Sequence, residues 1–319
     1  MIELTEQNAA QYLGRESTVT ALGGGVSNTV LLAENYDERV VIKQSLSKLR
    51  VEEDWFSDRR RIFREAEALR TLGDILTEGS VPRVIDEDRE NYIIVMSAAP
   101  AGARTWKSLL FEGVAREQTA RAIAQILGAM ISRTWKSAQL EAVFGDQTVF
   151  DQLRIDPYYC TTACRHPGLA PHFDALIEVS SVRRVSLVHG DFSPKNFLVD
   201  GDRLTMIDCE VIHFGDPSFD AAFLLNHLLL KSYRLPQWRD RFRSLALQFW
   251  QALVPFLPRE CGWFEAATIQ HLGCLLLARI DGKSPVEYLK EEGLKETIRD
   301  AARRLIVRPP ETVAEVFSC

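Results

Sequence analysis

The sequence predicts an α+β protein with a small strand-rich first part and a larger, mainly helical second part. Three observations carry this expectation. Short β-type runs separated by turn residues crowd the first hundred residues, and long helix-forming stretches dominate the rest. Between them lies Ser97-Ala-Ala-Pro-Ala-Gly102, small and Pro/Gly-bearing, the best place for a junction. The length of 319 residues agrees with about two domains of roughly 150 residues. A composition of 46% hydrophobic and 26% charged residues excludes disordered, collagen-like and coiled-coil chains.

The elements follow in order. Thr5 caps a short helix that Gly14 ends. Residues 18–22, 29–34 and 40–44 read as strands, parted by turn residues in 23–27 and 35–37. A helix is expected over 59–72, ended by Gly73, and strands over 81–86 and 92–96 make five. Beyond the junction, helices are expected over 116–135, 221–230, 238–253, 265–280 and 286–305. Only 186–188, 197–198 and 204–207 look strand-like there. The expected division is residues 1–97 and 98–319, with a hinge at about 97–102.

Charge and cysteine usage narrow the function. The net charge of −6 lies wholly in the first hundred residues, and the remaining 219 are balanced. Neither part offers the basic stripe of a nucleic-acid binder. No apolar run approaches the ~20 residues of a membrane helix; the best, 221–230, is broken by Asn226 and His227. Glu3 and Glu6 stand where a secretory leader would be basic and then apolar, so a cytoplasmic protein is expected. Its six cysteines then read as reduced thiols. Cys160, Cys164 and His166 lack a clear fourth metal ligand.

The sharpest chemical signal is Val188-His189-Gly190-Asp191-Phe192-Ser193-Pro194-Lys195-Asn196, followed by Met206-Ile207-Asp208-Cys209-Glu210. An acid, an amide five positions on and a second acid after a hairpin suit metal-assisted phosphoryl transfer. Asp and Asn also favour turns and caps, so the motif alone leaves both readings open. Gly23-Gly24-Gly25-Val26-Ser27-Asn28 lies between two expected strands, where glycines admit phosphate oxygens close to backbone N–H groups or simply turn the chain. Lys43 ends the third strand within reach of phosphates. Glu65 sits about 60° from Ile62 on the helical wheel, at the edge of the Ile62/Ala66/Leu69 face, placed to pair with Lys43 or to remain solvated.

In this order, the glycine loop, strand lysine, helix glutamate, hinge, His-Gly-Asp loop and Asp-x-Glu resemble the aminoglycoside phosphotransferase and choline kinase superfamily, from about Gly23 to Asp220 and including Gly215-Asp216-Pro217. The resemblance implies a bilobal protein-kinase-like fold, with a five-stranded antiparallel sheet and one main helix in the N-lobe. It also implies an ATP- and Mg²⁺-dependent kinase that phosphorylates a hydroxyl of a metabolite or antibiotic. Asp191 then corresponds to the catalytic base, and Asn196 and Asp208 to the Mg²⁺ ligands, with Glu210 a further acidic contact. Lys43 and Glu65 correspond to the phosphate-positioning pair. Gly24, Gly25, Ser27 and Asn28 would cover the phosphates, and backbone groups near Ser97 and Ala98 would bind adenine. Asp220 would hold backbone N–H groups of the catalytic loop, and His189 would be a packed loop residue. Ser193 replaces the lysine of protein kinases, and no Ala-Pro-Glu segment follows Asp208, which argues against a protein substrate.

A narrower resemblance, to 5-methylthioribose kinase, rests on Val40-Val-Ile-Lys-Gln-Ser-Leu-Ser-Lys-Leu-Arg50-Val, Trp55 and Arg64-Glu-Ala-Glu-Ala-Leu69. The chain is short for that family, and Arg279 stands alone where the family places an arginine pair near its substrate. Arg279 is thus a substrate contact or an ordinary surface or ion-paired arginine. A kinase-like binding module without catalysis is the remaining alternative.

Overall fold

The computed structural model describes residues 2–23, 27–50 and 55–318. Strands β1 (Thr18–Ala21), β2 (Asn28–Glu34), β3 (Arg39–Ser45), β4 (Val84–Asp88) and β5 (Ile93–Ser97) form an antiparallel sheet in the order β1-β2-β3-β5-β4. Strand alternation sorts its side chains. Leu31, Ala33, Val40, Ile42, Ile93 and Val95 fill one face, closed by Leu4 and Ala9 of the short helix α1 (Ala9–Leu13) and its approach. Val41, Ile94 and Met96 point the other way, towards α2 (Arg61–Ile75), which buries Ile62, Ala66 and Leu69. Lys43 has the parity of Val41 and lies opposite Ile94, so the strand period itself delivers it to the helix side.

In the first part of the chain, two boundaries differ from expectation by more than two residues. Helix α2 runs through Gly73 to Ile75, where the buried Leu72 also accepts the capping N–H of Leu76. A helical glycine costs about 1 kcal/mol against alanine, less than this packing returns. Strand β4 begins at Val84, because Pro82 has no N–H to give to a ladder.

The rest of the chain is mainly helical. After β6 (Arg104–Thr105) come α3 (Trp106–Phe111), α4 (Glu117–Thr134), α5 (Ala138–Phe144) and α6 (Thr148–Phe150). A wide π-helical segment, Asp151–Cys160, contains Pro157 and leads into α7 (Thr161–Arg165) and α8 (Ala170–Val182). Strands β7 (Ser186–Val188), β8 (Phe197–Asp200), β9 (Arg203–Met206) and β10 (His213–Gly215) carry the loops of the motif. Helices α9 (Ser218–Arg234), α10 (Arg239–Leu253), α11 (Phe264–Asp281), α12 (Glu292–Val307) and α13 (Val313–Val316) follow. Helices α9 and α11 are buried on nearly every face, which explains why apolar residues recur all round them. No described helix is long and apolar enough to cross a membrane. The helix expected from 286 starts only at Glu292: the Val286 N–H is bound by the Arg279 carbonyl, which holds the preceding segment as a loop. The two-residue strand β6 and the three-residue strand β10 were too short to show a period.

Candidate active site

The parity of β3 and the buried stripe of α2 converge on one ion-pair cluster. Lys43 Nζ lies 2.6 Å from Glu65 Oε2 and 2.5 Å from Asp208 Oδ1. Burial alone would lower the lysine's pKa, but Asp208 and Glu65 outweigh it and hold the ammonium charged. Burial raises the Asp208 carboxyl, yet Lys43 and Lys195 bring it below the usual carboxylate range. Glu65, buried deeper, is raised. Asp208 sits in the left-handed region at φ 67°, a conformation Asp tolerates better than most residues.

The loop after β7 is held from below. Asp220, in the first turn of α9, accepts the His189 N–H at 2.6 Å and the Gly190 N–H at 2.9 Å. His189 is buried; its Nε2 contacts the Ile207 carbonyl at 3.1 Å, and its Nδ1 accepts the Asp191 N–H at 3.1 Å. Gly190 has φ 76°, and a Cβ there would stand 2.8 Å from Val211 Cγ1. This loop presents Asp191 to the cleft, where Arg154 Nη2 approaches its carboxylate at 3.1 Å and Lys195 Nζ at 2.9 Å. Asn196 donates its Nδ2–H to the Asp191 carbonyl at 2.9 Å.

Glu210 has a different neighbourhood from the metal contact expected of it. Its carboxylate accepts from Ser27 Oγ at 2.6 Å, Asn28 Nδ2 at 2.8 Å and Arg61 Nε at 3.0 Å. Ser27 and Asn28, expected over phosphates, thus have their side chains on Glu210. Gly24 and Gly25 lie outside the described residues. Glu65, Asp208 and Glu210 do bring ligand oxygens within 4.8 Å of one another. Lys43 and Arg61 stand among them, so the cluster is largely neutralised by the protein itself. The N–H groups of Ser97 and Ala98 donate to the Arg83 and Arg39 carbonyls, at 2.9 and 3.2 Å.

A cavity of about 530 Å³ opens beside Asp191, lined also by Asp208, Tyr158, Lys195, Lys231 and Arg279. Arg279, buried in α11, donates to the Tyr158 hydroxyl at 2.9 Å and to Ser284. Trp55 and Tyr158 line this cavity, whereas Trp106 and Tyr159 are core. Arg154, Lys195, Arg61 and Lys231 were missed as site residues in the sequence. The one available signal for Lys195 was its place four residues after Asp191. Cys160 and Cys164 are free, exposed thiols, and His166 Nε2 is 2.9 Å from Asp281, so no metal set forms there among the described residues.

The family model described as the phosphotransferase enzyme family matches residues 18–264. No curated protein matches the chain. Among solved structures, the chain is similar to amicoumacin kinase hAmiN in complex with AMP-PNP, Ca²⁺ and Ami, with a TM-score of 0.64 and 14% identity over 93% of this chain and 90% of that one. A choline/ethanolamine kinase family protein from Mesorhizobium loti gives a TM-score of 0.57 and 16% identity, over 98% and 96% of the two chains. Choline kinase from Cryptosporidium parvum gives 0.57 and 15%, over 94% and 93%. At these identities the likeness is one of fold.

Proposed function

The chain belongs to the phosphotransferase enzyme family, and from that premise we propose that it transfers the γ-phosphate of ATP to a hydroxyl of a small molecule, with Mg²⁺. The observation that carries this reading is the placement of Asp191: buried, held on a loop pinned by Asp220, and facing one cleft with the Lys43–Glu65–Asp208 cluster.

Each residue has a task in this proposal. Burial pushes the Asp191 carboxyl up, but Lys195 and Arg154 outweigh it, so it is ionised at neutral pH. It orients the acceptor hydroxyl and takes its proton as the bond to phosphorus forms. Lys43, fixed by Glu65 and Asp208, meets the nucleotide phosphates. Lys195 and Arg154 offset negative charge next to the transferred group. Asn196 and Asp208 are suited to hold Mg²⁺: both offer hard oxygen donors, the Asn196 amide nitrogen is already engaged, and the Asp208 side chain is 26% exposed. When bound there, Mg²⁺ would supply positive charge that offsets the negative charge of the phosphates during transfer. Glu210 acts in this reading as a clamp on Ser27, Asn28 and Arg61. In the proposed division, residues 1–97 bind nucleotide, 98–319 carry the catalytic loop and acceptor pocket, and 97–102 form the hinge.

Two measurements test the proposal. AMP-PNP with Mg²⁺ should raise the melting temperature, and ADP should form with one acceptor in a panel of sugars, amino alcohols, hydroxy acids and aminoglycosides. Asp191→Asn should lower turnover by about 10²–10⁴-fold with AMP-PNP binding retained. A variant with undiminished turnover would remove Asp191 from the mechanism. Nucleotide binding without transfer to any acceptor would favour a binding module.

A further inference from the structure

Among the described residues, every carboxylate lining the cavity beside Asp191 has a cationic partner. Asp208 has Lys43, Glu210 has Arg61, Asp191 has Arg154 and Lys195, and Glu287 has Lys107. Two cations on the same wall have no carboxylate at ion-pair distance among the described residues, and Glu287, itself paired with Lys107, acts on them only from further off. Lys231, 1% exposed, donates only to the His227 carbonyl at 3.4 Å and stands 5.5 and 5.4 Å from the ring centres of Phe111 and Tyr288. Arg279 reaches only the Tyr158 hydroxyl and Ser284, and its Nε is buried without a partner, as is the Tyr288 hydroxyl.

A buried cation without a counter-charge is costly, and chains retain such conflicts where a ligand resolves them. Burial also pushes the Lys231 ammonium down to about 7, with Lys107 and Arg279 adding to it and Glu287 opposing it. A polycationic acceptor would meet repulsion on this wall, and a neutral polyol would leave both charges unanswered. We propose that the acceptor carries an anionic group, a carboxylate or a phosphate monoester, which docks on Lys231 and Arg279 while its hydroxyl faces Asp191. This rests on the kinase reading above. In the transfer, the acceptor oxygen bonds to the γ-phosphorus as the bond to the β–γ bridging oxygen breaks. ADP leaves with that electron pair, and the hydroxyl proton passes to Asp191.

The test is a thermal-shift titration of the full chain saturated with AMP-PNP and Mg²⁺. The probes are a panel of hydroxy acids beginning with glycerate and of sugar or polyol phosphates beginning with glycerol 3-phosphate, set against glycerol, methylthioribose and choline. At least one anion should stabilise the protein, and the two anion arms distinguish carboxylate from phosphate. Lys231→Met and Arg279→Met should each weaken that anion at least tenfold, leave the AMP-PNP shift unchanged, and Lys231→Arg should restore binding. The free Lys231→Met protein should melt no lower than the wild type, since it loses an unpaired buried charge. Stabilisation by choline or the neutral compounds alone, by no anion in the panel, or equally in the variants, overturns the proposal. So does a lowered melting point of free Lys231→Met with the anion shift intact, which assigns Lys231 to packing. Absence of any AMP-PNP shift would instead overturn the kinase reading.

Discussion

Lys231 places a charge where helix packing alone would favour an apolar side chain, and its titration makes this measurable. Burial, with Lys107 near it, brings its pKa from the ordinary 10.5 down to about 7. Between those values the unfolded chain binds a proton that the folded chain lacks, so wild-type stability gains with rising pH. The stability difference between Lys231→Met and wild type should therefore shrink, by a few kcal/mol, between pH 7 and about 10.5. Urea unfolding at both ends checks this, and a pH-independent difference would contradict it. Residues differ in how far the sequence exposes their role. Lys43, Glu65, Asp191, Asn196, Asp208 and Asp220 sit on short local motifs, so the family resemblance singles them out where spacing alone left a bland reading open. Lys231, Arg154 and Arg61 acquire meaning only from partners far along the chain or from burial on a helix, neither of which leaves a local pattern.

At the scale of elements, the clamp on Glu210 joins the start of β2, the first turn of α2 and the loop after β9. Arg61 is buried within it and also donates to the Ser27 and Leu46 carbonyls. Glu210→Ala leaves that guanidinium without its carboxylate, and a loss of about 3–5 kcal/mol is expected in urea unfolding. The double change Arg61→Met with Glu210→Met should recover part of it; additive losses would show that the pair is not coupled. Asp220→Ala orphans two buried N–H groups of the loop bearing Asp191, at about 1–3 kcal/mol for each unsatisfied group. It should lower kcat more than it alters nucleotide affinity; a change confined to the Michaelis constant for ATP would contradict that role. Element positions were legible where periodicity ran long, as in α4, α9 and α11. They were misjudged where a tertiary contact decides: Leu72 carries α2 past Gly73, and the Arg279 carbonyl delays α12.

Over the whole molecule, the apolar core ignores the expected boundary. Ile62, Leu69, Ile94 and Met96 share one continuous cluster with Leu127, Met130 and Phe150, whereas only the outer face of the sheet has a core of its own. A fragment of residues 1–97 should accordingly fail to unfold cooperatively, which circular dichroism with urea can establish; a sharp transition would show that the unit folds alone. The charge distribution is less legible still. The acidic excess of the first hundred residues, read from composition, says nothing of a cleft where, among the described residues, four carboxylates are paired with cations while Lys231 and Arg279 have none at ion-pair distance. That remainder has a consequence at the bench. The wall formed by Lys231 and Arg279 would act as a small ion exchanger, so protein prepared in phosphate, sulfate or citrate would arrive with its acceptor place filled. An acceptor screen in such buffers would return silence from an active enzyme, whereas one in a chloride-only, weakly coordinating buffer would not.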